Sequence, residues 1–360
     1  MATATARPTL QPRPRVLEGL HLGLPNHWYP ILRSSALGRR PLPVRRFGED
    51  LVVWRDSQGR PNVFESRCPH RAAPLALGRI QGQELACAYH GWRFDGSGAC
   101  TAMPLEEEGS SRPSRVRVKA YATAERGGYV WMFYGDREQA PPLAIPPELE
   151  DPGRLVFRTD YRWQTNWINV LDNVLDPLHA IYLHTGAYTQ RRRATFKAFQ
   201  VTADTETGFR LGKVGYRPDG SVGAVEGEVE FVLPNVVRLD LANGTEQGIM
   251  RVVIMPTPID ENNTWAFYAR SRRVGGWQRL QWWLAWWAIY RRTVNRIAGQ
   301  DGQVMSGIGP IGEARLREHL AASDAGVIHL RRRLTRAFDA SRRAAQPEAE
   351  PPVAAECSAP

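Results

Sequence analysis

The sequence predicts an α+β fold in two units, the first strand-rich and the second containing both strands and helices. Three observations carry this. Short β-rich runs alternate with Gly, Pro, Asp and Ser turn signals from about Asn26 to Gly135. A Pro-rich, acidic stretch, Gln139 to Pro152, then breaks the pattern. Beyond it come a helical stretch, a second strand-rich region and a long Trp-rich helical run.

In chain order, Met1 to Arg15 is rich in Ala, Thr, Pro and Arg and has no apolar h-region, so it is not a secretory signal. We expect a disordered leader over 1–25, a first domain over 26–138, a linker over 139–155, a second domain over 156–343 and a disordered tail over 344–360. The first domain draws its strands from runs such as Leu51–Trp54, Asn62–Glu65, Leu85–Ala88 and Tyr129–Tyr134. In the second, Thr165 to His184 suits a helix, Phe196 to Arg272 suits strands, and Gly276 to Val304 reads as one long helix. At 100° per residue Trp283, Trp286, Trp287 and Tyr290 share a face, which is expected to pack in the core. A substrate channel, or weak membrane attachment helped by Arg291 and Arg292, are the other readings. The most apolar run, Trp282 to Tyr290, is nine residues, too short to span a bilayer.

Composition narrows the function. Lys plus Arg number 47 against 37 Asp plus Glu, a net charge of +10 that suits an anionic surface or an acidic protein partner such as a ferredoxin. No basic stretch is regularly interleaved with base-stacking aromatics, which disfavours nucleic acid. Four cysteines in 360 residues make no disulfide framework and fit a reducing, cytoplasmic setting.

Two constellations carry chemistry. Cys68-Pro69-His70 and Cys87-Ala88-Tyr89-His90 are C-x-H and C-x-x-H, sixteen residues apart, each following a strand-like run. Two thiolates and two imidazoles can bind zinc tetrahedrally or hold a [2Fe–2S] cluster. Gly91, Gly96 and Gly98 suit tight turns there, and Trp92 is placed to shield a cofactor. Cys100 stands outside the pairs and reads as a small buried residue, and Cys357 falls in the tail.

The second constellation runs from Asn166 to His184. On one helix Asp172, Asp176 and His179 would share a face, while His184 would lie about 140° from His179. Shared metal ligation by the two histidines therefore requires a kink or helix end, which Pro177 can help supply. An ordinary helix with two surface histidines is the plain alternative.

The segments CPHRAAPLALG (Cys68–Gly78) and CAYHGWRFDGSGAC (Cys87–Cys100) closely resemble the Rieske domain of ring-hydroxylating and related oxygenases. Asp172, Asn173, Asp176, His179 and His184 match the D/E-N-x-x-D-x-x-H-x(4)-H pattern of the iron helix in the same family. The resemblance implies an all-β Rieske domain followed by a catalytic domain with an antiparallel sheet and helices, of helix-grip type. It implies that Cys68 and Cys87 ligate one iron of a [2Fe–2S] cluster, and that His70 and His90 ligate the other. It implies mononuclear Fe(II) held by His179, His184 and a later carboxylate. Asp301, in Gln300-Asp301-Gly302-Gln303, fits best, ahead of Asp260 and Asp324. Asp176 would accept a hydrogen bond from His179 and bridge to His90 of a neighbouring subunit in a head-to-tail ring, with Asp172 and Asn173 in support.

The implied partners are a ferredoxin or flavin reductase, O2, a small hydrophobic cyclic substrate and further copies of the chain, in a homotrimer. The single-chain layout resembles the hydroxylases and demethylases and so implies monooxygenation. NHWYP (Asn26–Pro30) and GYVWMFYGD (Gly128–Asp136) resemble the chlorophyllide and pheophorbide oxygenase branch, which makes a tetrapyrrole substrate an alternative. That branch's C-terminal membrane segment and C-x-x-C motif are missing from this sequence. A bare Rieske electron carrier, the alternative of another class, would need only the first constellation.

Overall fold

The computed structural model describes residues 19–106, 115–176, 178–184, 196–216, 222–241 and 250–345. The first domain is built from three small antiparallel sheets. One joins β1 (His27–Arg33) to β11 (Tyr129–Tyr134) and β10 (Thr123–Arg126). A second orders β2 (Leu42–Arg46), β3 (Glu49–Arg55), β4 (Pro61–Glu65) and β9 (Ala120–Tyr121). The third, of β5 (Arg79–Gln81), β6 (Glu84–Ala86), β7 (Arg93–Asp95) and β8 (Cys100–Ala102), carries the cysteine loops at one end.

Successive side chains of a strand point to opposite faces, so β3 feeds two cores. Leu51 and Val53 pack with Tyr29, Val63 and Val130, while Val52 and Trp54 pack with Phe64, Leu85, Phe94, Cys68 and Cys87. The second core forms the floor beneath the two cysteines.

The second domain is a seven-stranded antiparallel sheet. Its order is β12 (Arg154–Trp163), β18 (Asn263–Arg273), β17 (Met250–Asp260), β16 (Val236–Leu241), β15 (Val222–Val232), β14 (Gly208–Tyr216) and β13 (Phe196–Asp204). Alternation again decides the packing. Val252, Ile254, Ala266 and Tyr268 face the helices α1 (Trp167–Leu175), α4 (Arg291–Gly307) and α6 (Ala325–Ala345). Val253, Met255, Phe267 and Ala269 face Tyr129 and Trp131 of β11. The sheet is thus apolar on both faces in its middle strands, and the first domain docks against its back.

Three expectations are corrected here. Residues 19–24, assigned to a leader, are packed: Leu20 and Leu24 are fully buried, and the Trp167 indole donates to the Leu20 carbonyl at 2.8 Å. The leucines of this segment supply apolar surface that a solvated leader would leave in water. Residues 1–18 of the expected leader, most of the tail and Cys357 lie outside the described residues. The expected linker is anchored, because Glu148 and Leu149 are buried and Glu148 accepts from Arg251 of β17 at 2.9 Å.

The Trp-rich run is one helix, α3 (Gln278–Ala285) continuing through a π-turn at Trp286–Tyr290 into α4. Its aromatic face is not a core face. Trp286 alone of that set is buried, stacked on Phe157 with ring centres 4.4 Å apart, whereas Trp283 and Trp287 are about half exposed. Periodicity groups residues on a face but does not say what covers that face. No described helix is long and apolar enough to cross a membrane.

The two kinds of tryptophan should respond differently to truncation. Trp286→Ala should cost about 3–5 kcal/mol, as large aromatic-to-alanine changes in cores do, and Trp283→Ala at most about 0.5 kcal/mol. Urea denaturation followed by circular dichroism measures both.

Candidate metal centres

The two cysteine loops repeat one local design. In the first, the Cys68 N–H donates to the Ala73 carbonyl and the Ala72 N–H to the Cys68 carbonyl, both at 2.9 Å. In the second, the Cys87 N–H donates to the Trp92 carbonyl at 2.8 Å and the Gly91 N–H to the Cys87 carbonyl at 3.1 Å. The fourth residue after each cysteine is left-handed, Ala72 at φ 54° and Gly91 at φ 72°. Each loop therefore turns back on its cysteine, buries the thiol and presents a histidine on the outer side.

Cys68 and Cys87 are buried and unbridged, while His70 is exposed and His90 half-buried. Burial, with the Cys87 thiol beside it, pushes Cys68 up to about 11, so metal binding must displace that proton. The His70 and His90 rings lie 4.5 Å apart, and Trp92 stacks flat on His70 at 4.3 Å. Partial burial, then the neighbouring His70 and Arg71, hold His90 below its ordinary value, which keeps it a neutral ligand. Two buried thiols on paired loops that also bring two imidazoles to within 4.5 Å of each other fit a Rieske cluster. Cys100 is buried in the floor below, its thiol directed at the Ala102 carbonyl at 3.6 Å.

The second centre lies between the sheet and the helices. The chain does not continue α1 to the histidines. Asp176 is its C-cap at φ −107° and ψ 82°, and α2 (His179–Leu183) begins afresh, with His184 as C-cap at φ −101° and ψ 33°. Pro177 lies outside the described residues. This break lets residues five apart in sequence aim at one point.

There they meet Asp301. Its Oδ1 lies 3.4 Å from His179 Nε2 and 3.2 Å from His184 Nε2, and the three ligand atoms fall within 4.8 Å of one another. Oδ1 is buried and makes no hydrogen bond. Donors each about 2.1 Å from one ion and at right angles stand about 3 Å apart, so the two carboxylate–imidazole distances fit a 2-His-1-carboxylate facial triad.

Both imidazoles are fixed from behind. His184 Nδ1 donates to Gln300 Oε1 at 3.1 Å, and His179 Nδ1 donates to the Asp176 carbonyl. These bonds leave both Nε2 lone pairs for the metal. Burial opposes the charge on His179, but Asp301 and the Asp176 carbonyl outweigh it and raise its pKa above the ordinary value. Gly302 allows the close approach that brings Asp301 in: a Cβ there would stand 2.5 Å from the Trp163 indole nitrogen. Trp163, Tyr161 and Tyr268 form an aromatic wall alongside, with Tyr268 at 5.4 Å from Tyr161 and 6.0 Å from Trp163.

The remaining expected residues are placed differently from the sequence reading. Asp172 does not share a face with His179. It accepts from Arg315 at 2.6 Å and Arg331 at 2.9 Å, and both arginines also bind Glu318, which ties α1 to α5 (Ile311–Arg317) and α6. A one-face helical argument fails because the helix ends between them. The Asp176 carboxylate caps the Leu178 N–H at 3.1 Å, and it is this residue's carbonyl, not its carboxylate, that receives His179. Asn173 is half-buried on α1. Asp260 caps the β17–β18 turn through the Asn262 N–H at 3.0 Å, and Asp324 accepts from the Ala321 N–H at 2.6 Å, so neither joins the triad. Gln300 went unread as a supporting residue, although it directly precedes the carboxylate.

A fold of this architecture, with a thiolate–imidazole loop pair in one domain and a facial triad in the next, defines a Rieske-type oxygenase. The comparisons agree. The Rieske [2Fe-2S] domain family matches residues 27–122, and the vanillate O-demethylase oxygenase C-terminal domain family matches residues 163–340. The chain belongs to the Rieske non-haem iron oxygenases. It is 35% identical over 182 residues to the 5,5'-dehydrodivanillate O-demethylase oxygenase subunit of Sphingobium sp. (strain NBRC 103272 / SYK-6), a match covering 47% of this chain and 41% of that protein. The match thus spans well under half of that relative's length. Over 350 residues it is 28% identical to the phenoxybenzoate dioxygenase subunit alpha of Ectopseudomonas oleovorans, covering 86% of this chain and 80% of that one. The solved structure of Pseudomonas putida CBB5 NdmA superposes with a TM-score of 0.73 at 19% identity, over 91% of this chain and 96% of that one, a likeness of fold.

The left-handed positions of the loops give a direct check. Ala72→Gly should stabilise the domain by up to about 1 kcal/mol, because only the alanine bears the Cβ penalty. Gly91→Ala should destabilise it by about 1–2 kcal/mol. Urea midpoints of the two variants, monitored by the visible absorption of the cluster, measure the difference.

Proposed function

We propose that the protein takes electrons one at a time at a cluster held by Cys68, Cys87, His70 and His90. It uses them with O2 at an iron held by His179, His184 and Asp301, to hydroxylate or oxidatively demethylate a small hydrophobic cyclic substrate. The observation that carries the proposal is the orphaned, buried Asp301 oxygen facing two pre-aimed imidazole nitrogens, in a chain that also presents the thiolate–imidazole pair. When bound, the cluster supplies single electrons, and the iron supplies open positions beside the substrate.

The chain's own residues do the rest. The Asp176 carbonyl and Gln300 hold the two ligand tautomers, and Trp163, Tyr161 and Tyr268 keep the wall beside Asp301 apolar. The Asp176 carboxylate is half-buried, and burial raises its pKa against the pull of His179. In a head-to-tail trimer, His90 of the partner subunit would reach this carboxylate, which can then hold a proton between the two centres. The exposed His70 side of the loop pair, with Arg71 lying over exposed Tyr89, suits docking of an acidic ferredoxin or reductase. Four cysteines in 360 residues, two of them assigned to the cluster, suit a reducing, cytoplasmic setting.

Anaerobically purified protein should contain about three Fe and two acid-labile sulfides per chain, with a low-average-g Rieske EPR signal after dithionite. His179→Ala should lose about one Fe and keep that signal. Zinc in place of iron, or two Fe unaffected by His179→Ala, would leave a metal-binding or electron-carrier protein instead.

A further inference from the structure

The outward face of the α3–α4 helix has no role in either metal centre, yet it is the most apolar exposed surface described. Trp277 is 70% exposed, Leu280 61%, Trp283 48%, Leu284 53%, Trp287 49% and Ile289 63%. From Trp277 to Trp287 these residues recur at helical spacing and form one exposed stripe beside the buried Trp286. Monomeric proteins rarely expose so continuous an apolar stripe without a use.

Charge identifies what could cover it. Along the helix from Gln278 to Gln300 the chain holds four arginines and not one aspartate or glutamate. Arg291, Arg292 and Arg296 are exposed on the turns that follow the stripe, and Arg291 lies over the Trp287 ring at 4.9 Å. Tryptophan and leucine on one side, arginine beside them and no acid form the pattern of a helix lying in the headgroup region of a bilayer. A second copy is a poorer complement, since its equivalent face is equally basic and two such faces would repel.

We propose that this face docks the protein onto an anionic lipid surface, with Trp277, Trp283, Leu284 and Trp287 in the interface and Arg291, Arg292 and Arg296 against lipid phosphates. A cavity of about 420 Å³ opens beside it, lined by Phe157, Tyr161, Trp286, Trp287 and Asn295. The same helix runs on to Asp301. The docking itself does not depend on the catalytic reading.

The test is co-sedimentation of the metal-loaded full chain with vesicles, one set of phosphatidylcholine alone and one containing phosphatidylglycerol. Tryptophan quenching by brominated lipid is read in parallel. Binding to the anionic vesicles, weakened by salt and accompanied by quenching, is the expected result. Trp283→Ser with Trp287→Ser should lower the partition constant about tenfold or more. Each of Arg291→Gln and Arg292→Gln should lower it about fivefold on anionic vesicles only. Both pairs are exposed, and unchanged circular dichroism and iron content would show that the variants fold. Failure of the wild-type chain to bind either vesicle set overturns the proposal. So does binding that both substitution pairs leave unchanged. Wild-type oligomers that hide Trp283 and Trp287 from acrylamide, and that the serine pair dissociates, assign the face to a second copy and overturn it too.

Discussion

One buried oxygen organises the second domain. Asp301 Oδ1 is closed off from water and has no hydrogen bond, and a carboxylate in that position is costly unless a cation compensates it. Its surroundings supply the place for that cation: two imidazole nitrogens at 3.2 and 3.4 Å, each held in the required tautomer by an acceptor behind it. The interruption of α1 at Asp176, the restart at His179 and the glycine that seats α4 on Trp163 all bring this oxygen and those nitrogens together.

The first domain solves the same problem in another way. Two short loops use matching pairs of backbone hydrogen bonds and a left-handed fourth residue to bury a thiol and expose an imidazole. A common apolar floor beneath both cysteines holds the loops in register, and the stacking of Trp92 on His70 orients the outer pair. The two domains share a boundary in which β11 covers the back of the large sheet. Buried Glu148, paired with Arg251, pins the connecting segment to it. Docking through an apolar sheet face limits relative motion of the two centres within a chain.

Much of this was legible in the sequence, and the reasons differ by element. The cysteine–histidine spacings mark the loops because ligands to one cluster must sit at adjacent turns, which local sequence records. The histidine pair and Asp301 were singled out through the family resemblance, since the histidines and the carboxylate stand over a hundred residues apart and spacing alone left an ordinary helix open. What local sequence could not show is contact. Asp172 looked like part of the iron network and instead neutralises Arg315 and Arg331, residues whose approach depends on how α5 and α6 fold back. The tryptophan face looked like core because periodicity reports grouping, and coverage depends on tertiary neighbours. Leu20 and Leu24 likewise looked like part of a leader until the large sheet offered them a core.

The most direct measurement is the thermal midpoint of metal-depleted protein with and without added Fe(II) under anaerobic conditions, for the wild type and Asp301→Asn. Fe(II) should raise the wild-type midpoint, as a ligand of the native state must. The asparagine variant, relieved of an uncompensated buried charge, should be at least as stable without metal and should not respond to it. An equal Fe(II) response in the variant, or none in the wild type, would contradict the claim that Asp301 completes an iron site.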